Sequence, residues 1–290
     1  MNGTSLNTTG LVKAYYETGR DPSGVISYVE PAIYKFSASY SSILRHNIYP
    51  ALLSELSSSQ LNAARESQLL TSYPTIDIVD GRPLSDDVFM APLQVGLFFL
   101  VLITFFQVLW NSKLNGHVAK VLNPVSYIAY RMIIVQVTFL VLSLAVTIVN
   151  RALEVLSWKG GFGVGWMIHF LAISSVGGAT ENVCLLALPH LPLAGFWFMF
   201  FVIINVSATL NPIETCPEFY RFTYSMPLHN FSELLKIMFF DTFTGHVGRY
   251  VGVLISWIAL NNILMPFCLM FASFKLKKSV QKLARAKMNQ

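Results

Sequence analysis

Charged side chains are scarce in this sequence. Asp, Glu, Lys and Arg make up 12% of its 290 residues, about half the share of a soluble domain. A surface so poor in charge excludes an ordinary water-exposed fold and a basic nucleic-acid interface. Cysteine is scarce too. Cys184, Cys216 and Cys268 are scattered and form no CxxC or CxH pair, which excludes a disulfide framework and leaves three structural thiols. No apolar h-region opens the chain, so no signal peptide is visible. No GxxxxGK[ST], HExxH, GxSxG or metal-spaced Cys/His set occurs. The chain is therefore not expected to be an enzyme or to carry a cofactor or metal. The run Gly160-Gly161-Phe162-Gly163-Val164-Gly165 has no preceding strand and no following Lys-Ser/Thr, so it is no phosphate loop. Gly161 and Gly165 suit close helix packing instead.

Apolar sequence is abundant. Hydrophobic residues make up 54% of the chain and mean hydropathy is +0.54. The expected fold is an all-α integral membrane protein with about five transmembrane helices, at 91–110, 126–149, 163–188, 193–210 and 250–271. At 1.5 Å rise per residue, each roughly matches a hydrocarbon core about 30 Å thick. They define a membrane domain over 91–273, with an outer loop at 211–248. Residues 1–90 form a polar segment, α or α+β, expected outside the cytosol. A helical pattern runs from Ala32 to Leu70, where Pro50 should break or kink it. Tyr73 to Val79 alternates like a short strand. Residues 1–90 carry a net charge of −3 and the remainder +8.

Basic residues set the orientation. Lys113 and Lys120 in the first loop, and Lys275, Lys277, Lys278, Lys282, Arg285 and Lys287 in the tail 274–290, have no acidic neighbours. Both regions belong in the cytosol by the positive-inside rule, which puts the N-terminus outside. Asn2, Asn7 and Asn230 then become candidate glycosylation acceptors in N-x-[ST] patterns.

Few polar residues fall within the spans. Arg131 lies near the cytosolic end of the second and is expected to snorkel to the headgroups. Glu181 shares a helical face with Ser174, Gly177 and Gly178. Small residues mark helix contacts, so this carboxylate should face the bundle interior, as a functional acid or as a helix-to-helix hydrogen bond. His169 reads as a packed polar residue, and Asn205 and Ser207 as cross-helix bonds. The outer loop gathers Glu214, Glu218, Arg221 and Tyr224 among aromatic rings. After Pro227, an amphipathic helix has Leu228, Phe231, Leu234, Leu235 and Met238 on one face and His229, Ser232, Glu233 and Lys236 on the other. It is expected to lie in the outer interface, as a plain lid or as a gate. Glu181, Asn205, Glu214, Glu218, Arg221 and Tyr224 are the candidate substrate-path residues.

One stretch carries a resemblance. Asn205-Val-Ser, Asn211-Pro212, Pro217-Glu218-Phe219-Tyr220-Arg221, Tyr224, Met226-Pro227-Leu228-His229-Asn230 and Phe240-Asp241-Thr242 resemble the fungal nitrosoguanidine-resistance family, whose membrane domain is called DUF3533. Asp80-Gly-Arg82-Pro83, Glu181-Asn182-Val183 and the run Gly252 to Asn261 resemble it as well. The match covers roughly 70–273, and its most specific part is Pro217 to Asp241. Such proteins are similar to ABC-2-type permeases. The resemblance implies a plasma-membrane, transporter-like protein tied to drug resistance or to lipid distribution between leaflets. The expected partners are the lipid bilayer, a small amphiphile or lipid as substrate, and further copies of the chain in a homo-oligomer. Family members begin with a cytosolic tail and a leading span, which this sequence is expected to lack. The alternatives are a non-transporting scaffold or regulator and a truncated, non-functional paralogue.

Overall fold

The computed structural model describes residues 11–66, 74–84, 87–152, 158–187, 191–207, 209–210 and 213–288. The chain divides into two compact units, Met1–Leu84 and Ser85–Gln290.

In the first unit, strand β1 (Val12–Tyr16) pairs in parallel with β2 (Ile76–Asp80), Val12 opposite Ile76 and Tyr16 opposite Asp80. The Asp80 carboxylate closes the end of this ribbon. It accepts from the Thr18 amide at 3.2 Å, from the Arg82 amide at 3.0 Å, and from the Thr18 hydroxyl. Between the strands runs a helical segment: α1 (Pro22–Gly24), α2 (Glu30–Ile43) and α3 (Tyr49–Glu55), joined by π turns at Val25–Val29 and Leu44–Ile48. The helical path continues through Pro50, because that proline falls in the first turn of α3, where its missing N–H costs little. The break comes later, at Leu56 and Ser57. There Ser57 and Gln60 cap α4 (Ser58–Glu66) reciprocally: the Ser57 amide donates to Gln60 Oε1 at 3.0 Å, and the Gln60 amide to Ser57 Oγ at 3.4 Å.

The second unit is a helical bundle. Among the described residues, four helices are long and apolar enough to cross a membrane: Ala91–Val118, Pro124–Ala152, Gly161–Ala187 and Val247–Lys278. The first is a π turn, Ala91–Val95, running into α5 (Gly96–Val118); the next two are α6 (Pro124–Ala152) and α7 (Gly161–Ala187). The span expected at 193–210 is shorter than its apolar run suggests. Here α8 (Leu191–Val202) passes into a π turn at Ile203–Ser207, and its apolar core is Gly195–Val206. The expected basic tail continues the last span instead, as α10 runs unbroken from Val247 to Met288.

α7 is the central helix and packs against α5, α6, α8, α9 (Pro227–Phe240) and α10. Its small residues allow this. A Cβ on Gly178 would come within 2.9 Å of the Asn261 side chain, so α7 and α10 meet there at backbone distance. Gly165 is equally crowded, by Trp158, whereas Gly161 is open and instead holds a positive φ of 76°.

α9 does not lie in the interface as its periodicity suggests. Both of its faces are buried, including His229, Asn230 and Ser232 on the side read as polar. Bonds within the chain meet part of this polar face. Asn230 Nδ2 donates to the carbonyls of Tyr224 at 2.9 Å and Met226 at 2.7 Å, and Lys236 pairs with Glu233 at 2.7 Å. Asn230, a glycosylation candidate by its pattern, is 0% exposed. Asn2 and Asn7 lie outside the described residues. The helix ends on Asp241 in the left-handed region (φ 52°), whose amide bonds back to the Ile237 carbonyl at 3.0 Å. Lys159 fastens that end: its amide donates to the Met238 carbonyl at 2.9 Å and its ammonium pairs with Asp241.

Candidate functional site

α6 and α7 run antiparallel, which brings residues fifty positions apart into contact. Arg131 does not snorkel. It turns inward, is 3% exposed, and its Nη2 donates to Glu181 Oε1 across the α6–α7 contact. Glu181 is 0% exposed, as its small-residue face predicts. The pair is not saturated among the described residues, where Arg131 Nε and Glu181 Oε2 have no hydrogen-bond partner.

Other polar groups flank the same seam. Ser174 donates to Gln136 Oε1 at 2.6 Å, and Gln136 Nε2 donates to Asn262 Oδ1 at 3.3 Å. Asn182 Nδ2 donates to the Asn261 carbonyl at 2.9 Å, and Asn261 Nδ2 returns a bond to the Ser175 carbonyl at 3.1 Å. These bonds lock α7 to α6 and α10. On α5, Thr104, Gln107, Asn111 and Asn115 recur at helical spacing, which puts them on one stripe. Thr104 faces Gly177 of α7. Both amide atoms of Gln107, Nδ2 of Asn111 and Oδ1 of Asn115 are buried without a partner among the described residues. Unpaired buried polar atoms are rare in native proteins and are ordinarily met by water or a ligand.

The remaining candidate path residues are elsewhere. Asn205 is buried and bonds its own helix, Nδ2 donating to the Phe201 carbonyl at 3.1 Å. The exposed pair Glu218 and Arg221 stands at 3.0 Å within one turn, and Glu214 is exposed. Tyr224 meets the His229 ring edge-on, with the Arg249 guanidinium 5.4 Å from its ring centre. Among the described residues, no hydrogen bond or ion pair joins Glu181 to any of these. Arg131, Gln107, Asn182 and Asn261 join the site without having been singled out for it. The available signal was their place as polar residues inside apolar runs.

His169 lies nearer the other end of the bundle. Its Nδ1 faces the Gly165 carbonyl at 2.7 Å, its Nε2 faces Asn150 Nδ2 at 2.8 Å, and Phe231 of α9 packs on its ring edge. It is a fixed, bonded residue, as read from sequence, and it also lines a cavity of about 390 Å³ with Asn150 and Phe231.

A helical membrane bundle with an unsaturated ion pair in its interior defines the class: a polytopic α-helical membrane protein with a polar core. Within that class, the chain belongs to the family described as protein of unknown function DUF3533, whose model matches residues 1–263. It is 34% identical over 282 residues to YJR015W, an uncharacterized endoplasmic reticulum membrane protein of Saccharomyces cerevisiae. That alignment covers 94% of this chain and 55% of the yeast protein, so the chain spans about half the length of its relative. No solved structure matches it.

Proposed function

We propose that the chain is a transporter-like membrane protein that moves an amphiphile or lipid between leaflets, in the manner implied by the resemblance to nitrosoguanidine-resistance proteins. The observation that supports this reading is the Arg131–Glu181 pair with its unspent Nε and Oε2. Burying such a pair gains little stability, since well-packed apolar residues do as well. A pair kept inside a membrane bundle with free valences suits a polar headgroup or water in transit. The relative's location supports an endoplasmic reticulum membrane over the plasma membrane.

The experiment measures transbilayer movement of a fluorescent lipid and uptake of a fluorescent amphiphile in endoplasmic reticulum microsomes from cells lacking the gene and complemented with the chain or with Glu181→Gln. Transport that is lost in the variant at equal protein level and location supports the reading. Full transport in Glu181→Gln, or none with the parent chain at its proper membrane, overturns it.

A second reading, a scaffold that binds partners through its first unit, draws on the exposed Tyr28, Tyr34, Phe36 and Ile43 there. It predicts that deletions within 11–66 abolish function while Glu181→Gln does not.

A further inference from the structure

The cavity beside His169 lies apart from the ion pair and is of a different chemistry. Val95 and Phe99 form one wall, from the start of the first span. Val146 and Val149 form the other, from the end of α6. Among the described residues, no Asp, Glu, Lys or Arg lines it. Its polar groups are Asn150 and His169, and these bond each other at 2.8 Å. With Nδ1 bound to a carbonyl, the ring carries its proton there and accepts from the Asn150 amide through Nε2. The pair is neutral in this arrangement. An asparagine amide offers two donors and a two-lone-pair acceptor, so Asn150 keeps capacity for a further polar group.

The geometry points to a binding site for one single-chain neutral lipid, its chain between the two walls and a hydroxyl head at Asn150. Three observations choose this occupant. The walls belong to membrane-crossing helices whose outward residues, Phe98, Val141 and Ile148, are exposed, so the surroundings of the mouth are lipid chains. The volume, about 390 Å³, lies at the low end of the range for ligand sites, about 300–1,000 Å³, which fits one chain better than two. The lack of charge among the described lining residues disfavours a phosphate-bearing head inside the cavity.

The site does not depend on the transport reading, because binding is measured without transport. The test uses the purified full chain in phosphatidylcholine nanodiscs and a long-chain alcohol bearing a photoreactive diazirine and a terminal alkyne. The comparator is the same chain with a phosphocholine head. The alcohol is expected to label peptides containing Val95 to Phe99 and Val146 to Asn150, and excess plain alcohol should compete the label away. Val146→Trp and Val95→Trp fill the cavity from opposite walls, and each should cut labelling of these peptides about tenfold. Asn150→Leu should cut alcohol labelling by up to about tenfold, the worth of one net hydrogen bond, and leave labelling by a headless alkyl probe unchanged. Labelling that does not saturate in the parent chain, or that spreads evenly over the exposed faces of α5, α6 and α10, overturns the proposal as plain annular lipid. Equal labelling of the same peptides by the phosphocholine probe overturns the neutral-head assignment. Glu181→Gln should keep the alcohol site whether or not it keeps transport, so the two readings fail separately.

Discussion

Gly177 of α7 and Phe139 of α6 meet so closely that a Cβ on Gly177 would stand 2.5 Å from the ring. The contact holds the two helices at the distance that lets Arg131 reach Glu181 one turn further along α7. Gly177→Ala should therefore destabilise by about 1–3 kcal/mol, the usual cost of overpacking, and Phe139→Leu in the same chain should restore part of it. Thermal unfolding followed by size exclusion reads both.

The ion pair should behave asymmetrically. Arg131→Leu leaves Glu181 unpaired in the bundle and should cost about 3–5 kcal/mol, whereas the double variant Arg131→Leu/Glu181→Leu should recover most of it. Equal losses in the single and double variants, measured by unfolding in detergent, would show that the two side chains are not coupled.

α7 shows how much of this site was legible in the sequence. The spacing of Ser174, Gly177, Gly178 and Glu181 gives the inward face of the carboxylate directly. It could not give the partner, because that depends on which helix packs antiparallel to α7 and at what offset. Arg131 read alone looks like a snorkelling residue. The same limit applies to α9. Periodicity finds its apolar face, but Asn230 enters the interior by bonding main-chain carbonyls of the preceding turn, and no residue pattern announces that. In the first unit the alternation near β2 is visible, whereas its partner β1, of equal length, lacks a regular alternation and does not stand out.

Asn230 should carry no glycan. Asn230→Gln should leave the mobility shift on glycosidase treatment unchanged. Asn230→Ala should destabilise by about 1–3 kcal/mol by removing the side-chain donor to the Tyr224 and Met226 carbonyls, as read by thermal unfolding.

His229 gives α9 a dependence on pH. Burial pushes its pKa down to about 4; Lys236 and Arg249 push the same way, against the carboxylates of Glu233 and Glu214. The unfolded chain, with a histidine near its ordinary value of about 6.5, takes up the proton first as pH falls. The stability linked to this group is therefore complete above about 6.5 and is lost as pH falls toward about 4. The unfolding midpoint should drop over that window, and His229→Gln should flatten the drop.

Asp80 should be the weak point of the first unit. Asp80→Ala removes the acceptor of both Thr18 groups and of the Arg82 amide. Limited proteolysis should then cut near Thr18 and Arg82 several times faster, with the bundle left intact.

α10 runs for 42 residues, roughly 63 Å at the standard rise, about twice the hydrocarbon thickness of a bilayer. One continuous helix thus joins the residues that clasp α7 to a basic C-terminal stretch. Pro266 removes one hydrogen bond partway along it, which gives the rod a single soft joint. Because Pro266 stands between Asn261 and the basic end, that end swings about the joint while the clasp on α7 stays put, so the far part of α10 is a hinged arm on a fixed base.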